Sequence, residues 1–392
     1  MQSLRNPQQS AYIVDAIRTP VGRGHADKGM YRDIHPADLL GRTFVGLLDH
    51  AGLDPAAVDN VIAGCVHQVG EHSSGITRTA WLMKGLPIET GATTVDIRCG
   101  SGQQATNYAA LTIEGGINEI VVSGGVESMT RVGFRVNEGS QKQYGQAFPP
   151  ELFERFPIGS QGLGAEMLAE QWKLSREDLD SFSARSHARA AEATDSGAFK
   201  REILPIETAE GMMTEDQGIR RGTSVETLAN LATVFKEGGV VTAGNASQIS
   251  DGAAAILLAS EAAAAKHGLK RRARIVDQVV LGVDPVSMLS GPIPSTLRLL
   301  ERNGLTVADI DAFEVNEAFA SVALAWEREL GADPDKVNPR GGAIALGHPL
   351  GSTGARLITT LLHYLEDTDK ELGVVTMCCG GGLGTATLIQ RT

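Results

Sequence analysis

The sequence predicts an α/β fold built from two similar halves packed against each other. Strand-like apolar runs alternate with helix-like segments along both ends of the 392-residue chain. The ends also resemble each other, because residues 11–16 match residues 273–278 and residues 121–128 match residues 374–384. Alternation of this kind predicts parallel sheets covered by helices, and an internal repeat predicts two such units side by side.

In the first half, short apolar runs bounded by turn residues predict strands. The last of them is expected to end at Gly124 and Gly125. Longer segments with apolar residues every three or four positions predict the helices between them. The predicted strands cover residues 11–16, 58–66, 93–97 and 120–122, and the predicted helices cover residues 38–51, 74–85 and 103–114.

Beyond residue 125 the chain becomes polar and rich in Gly, Gln, Glu and Arg, with helical patches but little strand signal. A structureless loop of this length would be unusual in a compact chain, so we expect an inserted domain. The predicted boundaries are residues 1–125 and 248–271 for the first half, 126–247 for the insertion, and 272–392 for the second half. The insertion's predicted helices are residues 163–173, 176–193 and 223–231.

The second half repeats the strand and helix signals of the first. Its final strand is expected to lead into Cys378 and Cys379 and then into a run of glycines. That glycine run, residues 380–384, has only weak similarity to a dinucleotide-binding loop, because no helix and distal acid follow it. The predicted strands are residues 254–259, 273–280, 310–315 and 373–377, and the main predicted helices are residues 292–303 and 353–365.

Composition excludes several classes of partner. The formal net charge of −12 argues against non-specific nucleic-acid binding. The four cysteines have neither zinc-site spacing nor the pattern of a disulfide framework. No apolar run is long enough to span a membrane. We therefore expect a cytoplasmic protein with reduced thiols, no bound metal, and neither nucleic acid nor membrane as a partner.

Two residues far apart in the sequence carry the chemical signal. Cys99 precedes a predicted helix, where the helix dipole favours a thiolate, and His348 occupies a Gly-rich turn before another helix. Alone, Cys99 would be interpreted as a buried structural thiol. The repeat predicts that both turns converge, which would form a nucleophile–base pair suited to acyl transfer. Gly100 and Gly102 leave backbone donors exposed beside the sulfur, where they could stabilise an oxyanion.

Six motifs occur in an order that resembles the thiolases over nearly the whole chain. Any one of them would be weak evidence, but six in the family's order are specific. They are Cys99–Gly102, residues 124–129, residues 242–247 with residues 251–255, residues 316–319, residues 341–349, and Cys378 ahead of residues 380–382.

The resemblance implies an architecture and an activity. A thiolase has a five-layered αβαβα arrangement of two repeats, with a coenzyme A-binding loop domain inserted in the first. It assembles as a homodimer or homotetramer. It cleaves 3-ketoacyl-CoA with CoA, or runs the reverse Claisen condensation, with CoA and acetyl-CoA as substrates and no permanently bound cofactor.

The resemblance also implies roles for individual positions. Cys99 would be the acylated nucleophile, His348 its base, and Cys378 a second acid and base. Asn316 would hold a water that forms one oxyanion site with His348, and the backbone N–H groups of Cys99 and Gly380 would form the other. In the insertion, four residues would contact CoA: Ser247 at the pantetheine, Arg220 at the nucleotide, and their neighbours Ala243 and Arg221.

Two departures bear on the subtype. Gln103–Gln104 follow the cysteine motif where many thiolases have Leu, and Ser160–Gln161 stand where acetoacetyl-type enzymes have His-Met. We therefore expect a degradative 3-ketoacyl-CoA thiolase. The alternatives are a short-chain acetyl-CoA acetyltransferase and a catalytically inactive thiolase-like protein that binds acyl-CoA. A 3-ketoacyl synthase is less favoured, because those enzymes lack the second cysteine.

Overall fold

The computed structural model describes residues 9–134 and 136–392 as alternating strands and helices. Its strands are β1 (Ala11–Arg18), β2 (Gly22–Arg23), β3 (Asn60–Gly64), β4 (Gly91–Val95), β5 (Ile120–Ser128), β6 (Ile206–Thr208), β7 (Gly211–Met213), β8 (Ser250–Ser260), β9 (Ala273–Gly282), β10 (Ala312–Val315), β11 (Leu372–Cys379) and β12 (Leu383–Arg391). Its helices are α1 (Pro36–Ala51), α2 (Ile76–Met83), α3 (Ser101–Glu114), α4 (Val136–Tyr144), α5 (Pro150–Arg155), α6 (Gln161–Gln171), α7 (Arg176–Asp195), α8 (Val225–Ala229), α9 (Glu261–Lys266), α10 (Pro292–Asn303), α11 (Ala320–Leu330), α12 (Ala343–Leu346) and α13 (Leu350–Asp367).

The main sheet is continuous through both halves. Its strand order is β10-β11-β12-β9-β1-β8-β5-β3-β4, with β2 beside β8. The halves meet where β1 pairs with β9 through only Tyr12↔Arg274 and Ile13↔Ala273. The prediction of parallel sheets is wrong for the central strands, since only β3–β4, β3–β5 and β10–β11 are parallel. The strands at the centre of the sheet pair antiparallel with their neighbours. One example is β12, which follows β11 through a direct hairpin.

The layers follow the predicted five-layer order. Helices α1 and α2 cover the outer face of the first half's strands, and α10 and α11 cover the outer face of the second half's strands. Between the two sets of strands lie α3 and α13, whose apolar side chains share one core with both. Helices that follow Cys99 and His348 in the sequence are therefore neighbours in the central layer.

The glycines of β5 explain one incorrect boundary. The strand does not end at Gly124 and Gly125 but runs to Ser128, buried along its whole length. A Cβ at Gly125 would overlap the carbonyl oxygen of Gly351 on α13, and one at Gly124 would overlap that of Ala254 on β8. Gly inside a strand often marks such a close backbone approach, which a turn interpretation overlooks.

The C-terminal strand β12 was not predicted. It pairs with β11 on one side and β9 on the other, and the glycines before it form the hairpin turn. Gly381 and Gly382 have φ of 86° and 79°, in the left-handed region that favours glycine. A hairpin at this place is not a strand–turn–helix unit, which agrees with setting the dinucleotide loop aside.

The segment between β5 and β8 contains α4 to α8 and the hairpin β6–β7, in keeping with its helical sequence patches. In this segment, α6 packs against α11, and α7 packs against α11 and α12. The segment thus lies beside the turn that leads to His348. Within the residues that the structure describes, no helix is both long enough and apolar enough to cross a membrane.

Candidate active site

Cys99 lies directly before α3, whose first turn is capped by Gly100. The preceding residue, Arg98, has φ of 60°, a left-handed conformation that is uncommon outside glycine. The side chain of Cys99 is buried, and its sulfur accepts hydrogen bonds from the backbone N–H groups of Gly380 and of Cys99 itself. The structure thus places these two donors at the sulfur.

Burial raises the pKa of the Cys99 thiol to about 11, although the two backbone donors and the Arg98 charge act in the opposite direction. The helix terminus and the two backbone donors alone therefore do not lower the pKa of this thiol in the free protein. The reason is that the desolvation of a charged sulfur outweighs the dipole and hydrogen bonds. In the resting state Cys99 is a neutral thiol that needs a base.

His348 sits between α12 and α13, at a turn where Gly347 has φ of 106°. Its Nδ1 lies 2.7 Å from Thr353 Oγ1, and the Thr353 hydroxyl donates to the carbonyl oxygen of Pro349 at 2.8 Å. With its own hydrogen engaged there, Thr353 Oγ1 must accept from His348. The proton therefore resides on Nδ1, and Nε2 carries the free lone pair.

Asn316 completes this arrangement at the end of β10. Its Nδ2 donates to His348 Nε2 at 3.3 Å, and both residues are buried. Burial, and next the positive charge of Arg356, lower the pKa of His348 to about 3. The imidazole is therefore neutral near pH 7 and able to take a proton. The predicted pair Asn316 and His348 is in contact.

Two buried glutamates position these turns, and the sequence analysis did not single them out. Glu127, on β5, accepts the backbone N–H groups of Val66 and His67 and that of Gly351 at the start of α13. It thereby ties the loop after β3 to the helix that follows His348. The sequence signal that could have identified Glu127 is its place in the Gly-Gly-Val-Glu motif.

Glu317 performs the same function for the loop before His348. It accepts from Ser186 Oγ at 2.6 Å, from Asn338 Nδ2 at 2.9 Å and from the N–H of Ile344 at 3.1 Å. Its neighbour in sequence is Asn316, so one strand end supplies a contact to the imidazole and an anchor for the loop. Asn316 and Glu317 thus both contact the turn around His348.

A third group near Glu127 contains donors of the kind that bind metals. Cys65, His72 and Glu127 have ligand atoms within 4.8 Å of one another. However, His72 Nδ1 donates to the carbonyl of His67 and its Nε2 accepts from the N–H of Ser128. With both ring nitrogens and the Glu127 oxygens engaged, the group is a hydrogen-bonded support for the loop after β3.

The adjacent cysteines of β11 point in opposite directions, as alternation along a strand requires. Met377 belongs to the core between the halves, whereas Cys378 belongs to the core around α10 and α11. Cys379 returns to the inner side, where its sulfur accepts the backbone N–H of Gly100. Burial raises the pKa of Cys378, and the nearby Cys99 raises it further.

The predicted CoA contacts lie on the approach to His348. The N–H of Ser247 donates to the carbonyl of Ala318, and Gln248 next to it accepts the N–H of His348. Gln248 also donates to the carbonyl of Gly218, two residues before Arg220. These bonds bring the Ser247 segment and the Arg220 loop to the same edge of the site.

The two arginines of that loop differ in their surroundings. Both are exposed, but Arg221 forms an ion pair with Asp195 at the surface. The backbone N–H of Arg220 is bonded to His187, whose pKa is lowered to about 4 by burial and by the Arg220 charge. Ala243, also exposed, lies in the turn before Ser247.

A cavity of about 450 Å³ opens onto Cys99. Cys99 comes from the first half, whereas Leu350, two residues after His348, and Gly380 come from the second, so turns of both halves contribute to its walls. Its remaining lining is mostly apolar and comes largely from the segment between β5 and β8. From that segment come Phe134, Phe148, Leu152, Phe156 and Ile158, and Met288 is added by the connection between β9 and α10.

Comparison with known proteins identifies a family over both halves of the chain. Residues 11–262 match the family model "Thiolase, N-terminal domain" and residues 269–391 match "Thiolase, C-terminal domain". The chain is 47% identical to a steroid 3-ketoacyl-CoA thiolase, FadA6, of Mycobacterium tuberculosis, covering 97% of this chain and 94% of that protein. It is 43% identical to a beta-ketoadipyl-CoA thiolase of Escherichia coli, covering 98% and 100%.

A solved structure is also similar over almost the full length. The acetyl-CoA acetyltransferase of Bacillus anthracis is 36% identical, with a TM-score of 0.90 and coverage of 99% of this chain and 100% of that chain. The two family models together match nearly the whole chain, the relatives are similar over its full length, and the chain therefore belongs to the thiolase family.

Proposed function

We propose that this thiolase cleaves 3-ketoacyl-CoA with CoA, releasing acetyl-CoA and an acyl-CoA shortened by two carbons, and that it can run the reverse Claisen condensation. The observation that carries the proposal is the apolar cavity that opens onto Cys99. An acyl group transferred to this sulfur would lie in that cavity. The relatives named 3-ketoacyl-CoA thiolase support the same activity.

In the first half-reaction, Nε2 of His348 takes the Cys99 proton and the sulfur attacks the 3-keto carbon. The bond between C2 and C3 then breaks, its electrons pass to the acetyl-CoA enolate, and Cys378 protonates the C2 carbon. The acyl group remains on Cys99 as a thioester. The N–H groups of Cys99 and Gly380 stabilise the oxyanion at C3, and Asn316 with His348 serves the enolate oxygen.

In the second half-reaction, Cys378, left as a thiolate, takes the proton of the incoming CoA thiol. The CoA sulfur attacks the thioester carbon, the bond to Cys99 breaks, and the Cys99 sulfur recovers its proton from His348. Atoms and charges balance without a metal or redox partner. The neutral resting states of Cys99 and His348 suit this cycle, since each proton moves only as a bond forms or breaks.

In this proposal the insertion, assigned to residues 126–247, forms the CoA-binding site. Ser247 and Ala243 contact the pantetheine arm at the edge of the site, and Arg220 with Arg221 face the nucleotide. A chain with a net charge of −12 needs local positive charge to hold an anionic nucleotide, and this loop provides it beside His348.

The second copy of this chain is the expected partner. Strand β4 forms one end of the main sheet, so its outer backbone groups have no strand beside them there. Next to it, Leu82, Met83 and Ile88 are exposed apolar side chains. Pairing of β4 edges from two copies would cover both features and give a homodimer, or a homotetramer built from two dimers. Mass measurement in solution checks this.

A short-chain acetyl-CoA acetyltransferase is the second candidate, favoured by the similarity to the Bacillus anthracis enzyme. Thiolysis rates on acetoacetyl-CoA and on 3-ketoacyl-CoAs of six, ten and sixteen carbons distinguish the two. A higher kcat/KM for the longer substrates supports the main proposal, whereas a clear preference for acetoacetyl-CoA supports the second. If the protein binds acyl-CoA but turns over none of these substrates faster than Cys99→Ala does, it is an inactive acyl-CoA-binding protein.

A further inference from the structure

The cavity beside Cys99 has an uneven distribution of charge. Besides Cys99, its ionisable lining residues are Arg98 and His67, and no Asp or Glu of the described chain lines it. His67 already donates its Nδ1–H to the buried carboxylate of Glu127 at 2.9 Å. The chain as a whole has a net charge of −12, but among the described residues the one permanently charged residue in the lining of this apolar cavity is the cation Arg98. Such a cavity favours an anionic group in a ligand.

Among the residues that the structure describes, no side chain or carbonyl forms a hydrogen bond with the guanidinium of Arg98. Its contact with an acid is a single atom pair with Asp96 at 3.8 Å, beyond hydrogen-bond range. The carboxylate of Asp96 is instead engaged by the backbone N–H of Arg98 at 2.7 Å. The planar fork of the guanidinium therefore keeps its donors available for a ligand carboxylate.

Arg98 is also close to the reacting sulfur. It precedes Cys99 in the chain, and its Cγ lies 3.7 Å from where a Cβ on Gly380 would be. Its charge is near enough to act on the Cys99 thiol. Arg98 lines the cavity, and its side chain is 43% exposed. A group that Arg98 binds would be only a few bonds from the thioester carbon.

We propose that the preferred substrates carry a carboxylate at the far end of a short acyl chain, and that Arg98 binds this carboxylate while the chain's methylenes pack on the apolar wall. This proposal rests on the proposed function and names the substrate class of the same site. A buried carboxylate needs a charged, hydrogen-bonding partner, and Arg98 is the one that this cavity offers. A neutral chain of equal length would leave that guanidinium unpaired.

The test uses two substrates of equal chain length, 3-ketoadipyl-CoA with a terminal carboxylate and 3-ketohexanoyl-CoA with a terminal methyl group. The measured quantity is the ratio of their kcat/KM values in the full-length protein. Arg98→Met removes the charge at similar volume, and Arg98→Lys keeps the charge without the fork. Arg271→Met, at the exposed ion pair with Glu261, is the matched control.

We expect the unmodified protein to prefer 3-ketoadipyl-CoA, and Arg98→Met to lower the ratio by about 10- to 100-fold, as loss of a charge-assisted hydrogen bond does. Arg98→Lys should recover part of the ratio, and Arg271→Met should not change it. Preference of the unmodified protein for 3-ketohexanoyl-CoA would overturn the proposal, whether or not the variants fold. So would an Arg98→Met effect equal for both substrates, which would indicate a role in CoA binding or in thiol activation. No turnover of these two substrates or of the longer 3-ketoacyl-CoAs named above would instead contradict the proposed function.

Discussion

The imidazole of His348 donates its Nδ1–H to the hydroxyl of Thr353, 2.7 Å away in the first turn of α13. That hydroxyl is itself fixed by donating to the carbonyl of Pro349. The consequence is a single tautomer with the base lone pair on Nε2, the nitrogen that Asn316 contacts. In the proposed mechanism Thr353 therefore acts through His348 as a positioning residue, and its hydroxyl leaves Nε2 as the nitrogen that serves as base.

Replacing Thr353 by Val should therefore slow acylation. The Nδ1–H would lose its acceptor, and the tautomer with the proton on Nε2, which cannot act as base, would gain population. We expect kcat to fall about 10- to 100-fold, part of the usual contribution of a general base. Stopped-flow acylation of Cys99 measures this step.

Two further variants separate positioning from packing. Thr353→Ser keeps the hydroxyl and should recover most of the rate. Thr359→Val removes a buried hydroxyl on the same helix, one that donates to the carbonyl of Ala355 at 2.9 Å, and should leave acylation unchanged. Equal losses of acylation rate in Thr353→Val and Thr359→Val would show that the rate depends on the packing of α13 and not on the Thr353 hydroxyl.

Cys99 should be the thiol that is acylated and the one that alkylates fastest. It is 4% exposed, against 1% or less for the other three cysteines. Since its pKa is about 11, its reaction with iodoacetamide should accelerate roughly tenfold per pH unit from 7 to 10. Incubation with acyl-CoA should add the acyl mass to the Cys99 peptide, and an adduct on Cys65 or Cys379 would contradict the assignment.

Substitutions of the two β11 cysteines, Cys378 and Cys379, should have different effects on catalysis. Cys378→Ala should still acylate Cys99 but lose hydrogen–deuterium exchange at the methyl group of acetyl-CoA, because the proton carrier is gone. Cys379→Ala should keep both activities and cost about 1–2 kcal/mol of stability through a small cavity beneath Gly100. Exchange lost in Cys379→Ala but retained in Cys378→Ala would reverse the assignment.

Removing the positive charge of the Arg220 loop should weaken CoA binding. We expect the double variant Arg220→Ala/Arg221→Ala to raise the KM for CoA about fivefold, as an exposed charge contact does, with a smaller effect on kcat. Most of the change should come from Arg220, since Arg221 is paired with Asp195. A collapse of kcat with unchanged KM would remove this loop from the CoA site.

Acid should destabilise the protein through its buried histidines. His348 stays neutral in the folded state down to a pKa of about 3, while the unfolded chain takes up a proton below about 6.5. The stability present above pH 6.5 is therefore lost as the pH falls through this window. Between pH 7.5 and 5.0 the contribution of His348 is about 2 kcal/mol.

Urea unfolding at the two pH values measures that contribution. His348→Asn cannot titrate, so its stability should fall less between pH 7.5 and 5.0 than that of the unmodified protein. His267→Asn, at an exposed position, should behave like the unmodified protein. An unchanged pH dependence in His348→Asn would mean that the imidazole is accessible to protons in the folded state.

The sequence by itself predicted most of the elements and named the residues that are proposed to react. Helix α10 has its predicted bounds, and the repeat of the two halves predicted that the turns of Cys99 and His348 would meet. Local signals suffice here, because apolar periodicity and turn residues depend on neighbours along the chain. The motif order likewise identified the family before any geometry was known.

Only the tertiary structure decided the states and orientations of those groups. Cys99 rests as a thiol and His348 as a neutral imidazole because both halves together remove water from them, which no neighbour in sequence can do. Strand β12 and the glycines of β5 were misjudged for a related reason. Their roles depend on pairing with β9 and on the approach of α13, contacts between residues that lie more than a hundred positions apart.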